Sequence, residues 1–116
     1  VRLWAESPPS WLSVRDPRTL DASLPARLGK GEIGAISLAL ELRAPLLLDD
    51  KDARKAAGER KLIMARTLSV LAEAACRDLI DIESALKKLS ETTYRAKDEH
   101  FQACLAEVRA RKATRT

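Results

Sequence analysis

Two stretches in the first half of the chain are almost wholly apolar, and each is closed by proline or by acids. Residues 32–43 are apolar nearly all the way round a helical projection, which predicts a buried helix that ends before Pro45. The next residues, Leu46 to Leu48, predict a fully buried strand that stops at Asp49 and Asp50. Because the connection is so short, we expect the helix and the strand to run antiparallel.

The same alternation of helix and strand continues along the chain. Residues 52–59, rich in Ala and Lys, predict a second helix, and Lys61 to Ala65 predict a second buried strand. Alternating elements with short connections favour right-handed crossovers and a parallel sheet. The pattern therefore predicts an α/β fold in which a parallel sheet is flanked by helices.

The remaining segments are predicted from helical spacing and from helix-breaking residues. Apolar residues recur at helical spacing from Leu68 to Leu79, from Ile82 to Leu89 after a capping Asp81, and from Phe101 to Val108. Residues 1–31 are rich in proline and predict an irregular segment with one short strand, Trp11 to Val14. Residues 110–116 predict a basic, frayed tail.

Composition narrows the classes of function. A chain of 116 residues, 46% hydrophobic and 33% charged, has room for one small domain, residues 1–116. The net charge of +4 is compatible with a polyanionic partner but does not require one. No apolar run is long enough to span a bilayer, so no membrane role is expected. Cys76 and Cys104 lack the spacing of a metal site or a disulfide scaffold, which favours reduced thiols in a cytoplasmic protein.

The acids after the leucine strand are the best candidates for chemistry. Asp49 and Asp50 would lie at the carboxyl edge of a parallel sheet, where open α/β folds bind ligands. The helix from Glu32 to Leu42 and a five-residue strand are each about 16 Å long, so Glu32 is expected level with that edge. Clustered carboxylates without His or Cys favour Mg²⁺ or Mn²⁺. Glu at a helix start and Asp at an N-cap are also ordinary structural choices, so spacing alone leaves both interpretations open.

One segment carries a resemblance to a known family. The stretch from Leu28 to Arg54, LGKGEIGAISLALELRAPLLLDDKDAR, resembles the middle of a PIN domain and is most similar to bacterial PIN proteins related to VapC toxins. Gly29, Gly31 and Glu32 form the Gly-x-Gly-Glu step that opens a helix in that family. Residues 61–81 are similar to the family's next strand and helix, and TYRAKDEHFQACL is similar to its closing loop and helix.

The resemblance covers most of residues 8–108 and implies a PIN-like three-layer α/β fold with the activity of a metal-dependent ribonuclease. It implies Glu32 and Asp50 as catalytic residues that would hold Mg²⁺ or Mn²⁺, with Asp49 or Asp52 as a further ligand. The nucleic-acid contacts are expected from Lys51 and Arg54, which border the proposed site, and from Arg95, which matches a basic residue of the family.

Two hypotheses about function follow. The family's first aspartate, on an N-terminal strand, has no counterpart here, so the chain is expected to be the C-terminal two-thirds of a PIN domain. The first hypothesis is an endoribonuclease, the toxin of a VapBC-like pair, with RNA as substrate, a cognate antitoxin as partner and weak or no activity as this fragment. The alternative is a catalytically incompetent PIN-fold fragment that serves as a binding or assembly module. The unpaired edge of the leucine strand is expected either to pair with the Trp11–Val14 strand or to be covered by self-association, and we favour a symmetric homodimer.

Overall fold

A computed structural model of the chain describes residues 6–115 and divides the chain into two compact units, with the boundary after Met64. Within the described residues the elements are, in chain order, α1 (Lys30–Leu42), β1 (Leu46–Leu47), α2 (Lys51–Glu59), β2 (Met64–Ala65), α3 (Thr67–Cys76), α4 (Ile82–Ser90) and α5 (Asp98–Ala113). The strands β1 and β2 form one small parallel sheet. This mixed helix-and-strand fold confirms the predicted α/β class.

The end of α1 shows how the first unit turns from helix to strand. Arg43 follows the helix in the left-handed conformation, with φ 52°, and its N–H donates to the carbonyl of Ala39. The N–H of Ala44 donates to the same carbonyl at 3.1 Å, which satisfies a helix-end acceptor. Pro45 then prevents the helix from continuing. The chain therefore reverses within three residues and enters β1 directly.

The sheet is buried on one face, which corrects the prediction of a fully buried strand. The N–H of Leu46 donates to the carbonyl of Ile63 at 2.9 Å and joins the two strands. Leu46 and Leu48 are buried, whereas Leu47 between them is 56% exposed and Ile63 is 73% exposed. Because successive side chains of a strand point to opposite faces, one face meets the core and the other faces outward.

The core of the first unit draws on its irregular segment as well as on its helices. Its buried members come from the segment before α1, from α1, from β1 and its end, and from α2: Leu24, Leu28, Ile36, Ala39, Leu46, Leu48, Ala53, Ala56 and Ala57. Every buried member from α2 is alanine, so that helix packs through its backbone and short side chains. Ile36 is the largest of these side chains to be completely buried.

The predicted strand at Trp11–Val14 is wrong. These residues are described, and they form a turn followed by irregular chain, in which the N–H of Leu12 donates to the carbonyl of Pro9 at 3.0 Å. Trp11 is 71% exposed and Val14 is 61% exposed. Side chains that favour β-structure form a strand only where a neighbouring strand packs against them. Propensity alone does not show whether such a neighbour is present.

The second unit consists of helices α3, α4 and α5, with a core to which all three contribute. Its buried residues are Ala72, Ala75, Ile82, Leu86, Cys104 and Val108. The predicted N-cap of α4 is confirmed, because the Asp81 carboxylate accepts from the N–H of Ser84 at 2.9 Å. The helix α3 ends at Cys76, and Asp78 then adopts a positive φ of 59°. Leu79, which spacing assigns to the core-facing stripe, is therefore 72% exposed.

Ion pairs connect the last helix to the region around the end of α3. Arg111 donates to Glu73 at 2.7 Å, and Lys112 and Arg115 lie within 3.3 Å and 2.9 Å of Asp78. Hydrogen bonds from these cations hold the pKa of Glu73 and of Asp78 below the usual range. The helix α5 runs to Ala113, beyond residue 110, from which the sequence pattern predicts a frayed tail.

The two cysteines sit in the second unit with different exposure. Cys76 at the end of α3 is half-buried, and Cys104 in α5 is buried. The Cys104 thiol donates to the carbonyl of Leu68 at 3.5 Å. Removal from water, together with the Glu107 carboxylate nearby, raises the pKa of this thiol. Within residues 6–115, no helix is long and apolar enough to cross a membrane.

Candidate active site

The candidate acids of the first unit begin where β1 gives way to α2. Asp50 has extended backbone angles, φ −62° and ψ 129°, and its Oδ2 accepts from the N–H of Ala53 at 2.9 Å. Asp50 is therefore the N-cap of α2, a position that favours Asp because the side chain satisfies an otherwise unpaired helix donor. This bond uses one of the two oxygens of the carboxylate.

The neighbours of Asp50 lie on the surface. Asp49 precedes it at the end of the strand segment, and Lys51 and Asp52 form the first turn of α2. All three side chains are exposed. An acid at this end of a helix is stabilised by the helix dipole, so Asp52 is also well placed for a purely structural reason.

Arg54 has a defined role inside the unit. Its Nη1 donates to the carbonyl of Leu48 at 2.8 Å, and the side chain is half-buried. The bond ties the first turn of α2 back to the end of the strand, just before Asp49 and Asp50. Arg54 was predicted to contact nucleic acid, and the structure shows that at least one of its donors serves the chain's own backbone.

Glu32 lies in the first turn of α1 and is half-buried. Its carboxylate is folded back over Gly29, the residue that precedes the helix. A Cβ placed on Gly29 would lie 3.2 Å from the Glu32 Cδ and would overlap its Oε2. The carboxylate thus occupies space that any side chain at position 29 would need.

The structure does not gather the predicted acids into a metal cluster. Within residues 6–115 no group of three or more His, Cys, Asp or Glu side chains is close enough to hold a metal ion. One physical reason is visible at Asp50, whose carboxylate is turned onto its own helix. Glu32, Asp49 and Asp50 therefore do not form a three-carboxylate metal group within the described part of the chain.

Two carboxylates are enough, in their chemistry, to take part in binding a divalent ion. Mg²⁺ prefers oxygen ligands and commonly keeps several waters, using one or two carboxylates together with the phosphate oxygens of a substrate. Glu32 and Asp50 offer oxygen donors of this kind, and the open space beside Gly29 accommodates the Glu32 carboxylate. The carboxylates of Asp49 and Asp52 complete no group of three there.

Arg95 belongs to the second unit, in the loop between α4 and α5, and is exposed. The loop is ordered by its neighbours. The N–H of Tyr94 donates to the Oγ1 of Thr92 at 3.1 Å, and the Tyr94 ring meets Phe101 edge-on with ring centroids 6.3 Å apart. Arg95 is therefore presented to solvent from a loop whose preceding residue is held on the first turn of α5.

Sequence reasoning missed a polar network in the first unit. Arg60 after α2 donates to Asp21 at 3.0 Å and to the Ser23 hydroxyl at 2.8 Å, and the N–H of Asp21 donates to the buried hydroxyl of Ser37 at 2.9 Å. Hydrogen bonds from Ser23 and then from Arg60 lower the pKa of Asp21 to about 2. Arg60 stands among the cations around α2 in the sequence, and no local pattern pairs it with an acid 39 residues earlier.

An α/β fold with acids and cations where a parallel strand ends is typical of proteins that bind ligands at that edge of the sheet. Residues 4–110 match the model of the PIN-domain family DUF3368, and the chain belongs to the PIN-domain family. This confirms the PIN domain that the sequence resembles, and PIN domains are in general nuclease-like and dependent on divalent metals. No curated protein and no solved structure matches the chain.

Proposed function

We propose that the chain is a PIN-type endoribonuclease in which Glu32 and Asp50 are the catalytic carboxylates and hold Mg²⁺ or Mn²⁺. The family match over residues 4–110 is the observation that supports this proposal most. The ion, when bound, would activate a water and offset the charge of the scissile phosphate. Two carboxylates from the chain make a weak site, so we expect weak metal binding and low activity.

The chain's own residues would position the substrate and the ion. Asp50 has one oxygen fixed by the N–H of Ala53, which leaves the carboxylate in a defined orientation at the start of α2. Lys51, exposed beside it, would attract a phosphate, and the half-buried Arg54 is a second candidate for such a contact. Arg95, on the loop before α5, is proposed as a contact to RNA. Asp49 and Asp52 are weaker candidates as metal ligands.

Metal binding tests the site directly. Titration with Mn²⁺ by calorimetry compares the parent chain with the pair Glu32→Gln and Asp50→Asn, and with Glu59→Gln, an exposed acid at the other end of α2. We expect the site variants to bind at least about 10-fold more weakly, in the range that loss of supporting ligands costs a metal site. Glu59→Gln should bind like the parent. Equal binding by all the variants would contradict the assignment.

The second candidate function is a PIN-fold module that binds RNA without cutting it. The finding that favours it is that the described residues include no group of three or more His, Cys, Asp or Glu side chains that could hold a metal ion. Incubation of labelled single-stranded RNA with Mg²⁺, read on a gel beside fluorescence anisotropy, separates the two functions. Slow cleavage that Asp50→Asn abolishes supports the nuclease, whereas binding without cleavage supports the module.

We also propose that the protein is the toxin of a VapBC-like pair, acts in the cytoplasm and forms a homodimer. The resemblance of Leu28–Arg54 to that group supports the toxin role. The exposed Leu47 and Ile63 on the outer face of the sheet support an association that covers them. Growth arrest on expression, relieved by Asp50→Asn and by a cognate antitoxin, tests the role. Sedimentation equilibrium tests the dimer, and a folded monomer of 12.8 kDa would refute it.

A further inference from the structure

Gly29 is a glycine whose backbone does not require one. Its φ of −63° and ψ of 156° lie in the extended region that any residue adopts. What distinguishes it is the space beside it, because an added Cβ would meet the Glu32 carboxylate. Gly31 and Gly34 in the same helix have nothing within 4 Å of an added Cβ. The three atoms nearest to an added Cβ at position 29 all belong to the Glu32 carboxyl group, so the closest constraint at this position comes from Glu32.

The start of α1 also lacks the side-chain N-cap hydrogen bond that stabilises the starts of two other helices. Asp50 and Asp81 cap α2 and α4 with their side chains, as residues at this position commonly do. Gly29 provides no side-chain cap for α1. A Ser, Asp or Thr there would satisfy a helix donor but would fill the space that the Glu32 carboxylate occupies.

We propose that Gly29 is a positioning residue for Glu32: its missing side chain lets the carboxylate fold over the start of α1, in the place from which it would serve as a metal ligand. The last clause rests on the proposed function, whereas the placement of the carboxylate does not. Because the atoms in conflict are the far end of a flexible side chain, Ala at position 29 should displace the carboxylate and leave the fold intact.

The chain offers a matched control for this proposal. Gly29→Ala and Gly31→Ala add the same methyl group two residues apart, one against Glu32 and one into open space. Calorimetric titration with Mn²⁺ should show binding about 10-fold weaker for Gly29→Ala, similar to Glu32→Gln, and a change of less than about 2-fold for Gly31→Ala. The double variant Gly29→Ala/Glu32→Gln should bind no more weakly than Glu32→Gln, because both changes act on one carboxylate.

A second measurement does not depend on the metal. The carboxyl ¹³C resonance of Glu32, assigned by its loss in Glu32→Gln, should move in Gly29→Ala and stay in Gly31→Ala, while all variants keep the parent's thermal unfolding transition. An unmoved resonance in Gly29→Ala would overturn the proposal. So would additive losses of Mn²⁺ affinity in the double variant, which would mean that Gly29 acts by another route.

The outcomes separate the two proposals. If Glu32→Gln binds Mn²⁺ like the parent but Gly29→Ala moves the Glu32 resonance, the positioning stands and the metal assignment fails. If Glu32→Gln weakens binding and Gly29→Ala does not, the metal assignment stands and the positioning fails.

Discussion

The two units of the chain use charge in different ways. In the first, a half-buried network around Asp21 and Arg60 ties an irregular segment to α1 and α2, with the side chains 25% and 17% exposed. In the second, ion pairs at Glu73 and Asp78 lie on the surface and connect α5 to the region around the end of α3. In the first unit, charged side chains hold in place a segment that has no regular secondary structure. In the second unit, they join helices that already pack through an apolar core.

The largest effects should come from the cores. Ile36→Ala is expected to lower the free energy of unfolding by about 3 kcal/mol, and Val108→Ala by about 2 kcal/mol, because both side chains are completely buried. Hydrogen exchange should quicken mainly in the unit that carries the change. Val14→Ala and Val70→Ala, at exposed positions in the first and the second unit, are the controls and should each cost less than about 0.5 kcal/mol. Equal quickening in both units would contradict separate cores.

The next effect concerns acid. The folded protein holds the pKa of Asp21 at about 2, below its ordinary 3.8. The ionised form therefore contributes stability in full above about pH 4, and that contribution is lost as the pH falls through about 2. Urea unfolding at pH 2–5 should show a flatter dependence on pH in Asp21→Asn than in the parent. Ser23→Ala, which removes a hydroxyl that lowers this pKa, should bring the pKa of Asp21 closer to its ordinary value and so also flatten the dependence on pH. A parent-like curve for Asp21→Asn would contradict this account.

A smaller effect is expected at the start of α2, where Asp50 has two possible roles. Asp50→Ala removes the cap and is expected to cost about 1 kcal/mol of unfolding free energy. Asp50→Asn keeps an oxygen that accepts from Ala53 and should cost much less, while it still removes the charge that a metal ion needs. Chemical unfolding measures the first difference and Mn²⁺ titration the second. If the two variants lost equal stability, the capping bond would not be the cause.

The smallest effect belongs to the surface pairs of the second unit. Glu73→Gln should lower the melting temperature by a few degrees at most, since both partners of the Glu73–Arg111 pair are more than two-fifths exposed. The difference from the parent should shrink further in 1 M NaCl, where the screening length is about 3 Å. A difference that persists at high salt would indicate packing by the side chain and would contradict an electrostatic origin.

Local patterns predicted the helices well and the contacts between distant segments poorly. Capping by Asp81 and the reversal before Pro45 depend on neighbouring residues, and both are visible in the sequence. The pair of Arg60 with Asp21 depends on how the chain returns 39 residues later, which no local period encodes. The exposed Leu79 shows the same limit, because its spacing fits α3 but the helix ends before it.

The candidate site follows this division. The positions of Glu32 in the first turn of α1 and of Asp50 before α2 could be predicted, since helix starts leave clear sequence signals. The direction of each carboxylate could not. The Asp50 carboxylate is turned onto the N–H of Ala53, and the Glu32 carboxylate is folded over Gly29. Both orientations depend on local side-chain contacts, which the spacing of residues along the sequence does not reveal.

The buried Cys104 is a natural chemical probe of local opening in the second unit. Its thiol is enclosed in the core and hydrogen-bonded to the carbonyl of Leu68, and burial raises the pKa of the thiol, which disfavours the reactive thiolate. Because Cys104 is only 6% exposed, its alkylation is expected to require local opening of the second unit, and the alkylation rate should report the frequency of that opening. The half-buried Cys76 supplies the reference rate in the same molecule. The ratio of the alkylation rates of Cys104 and Cys76 should therefore report the free energy of opening of the second unit under conditions in which the chain stays folded.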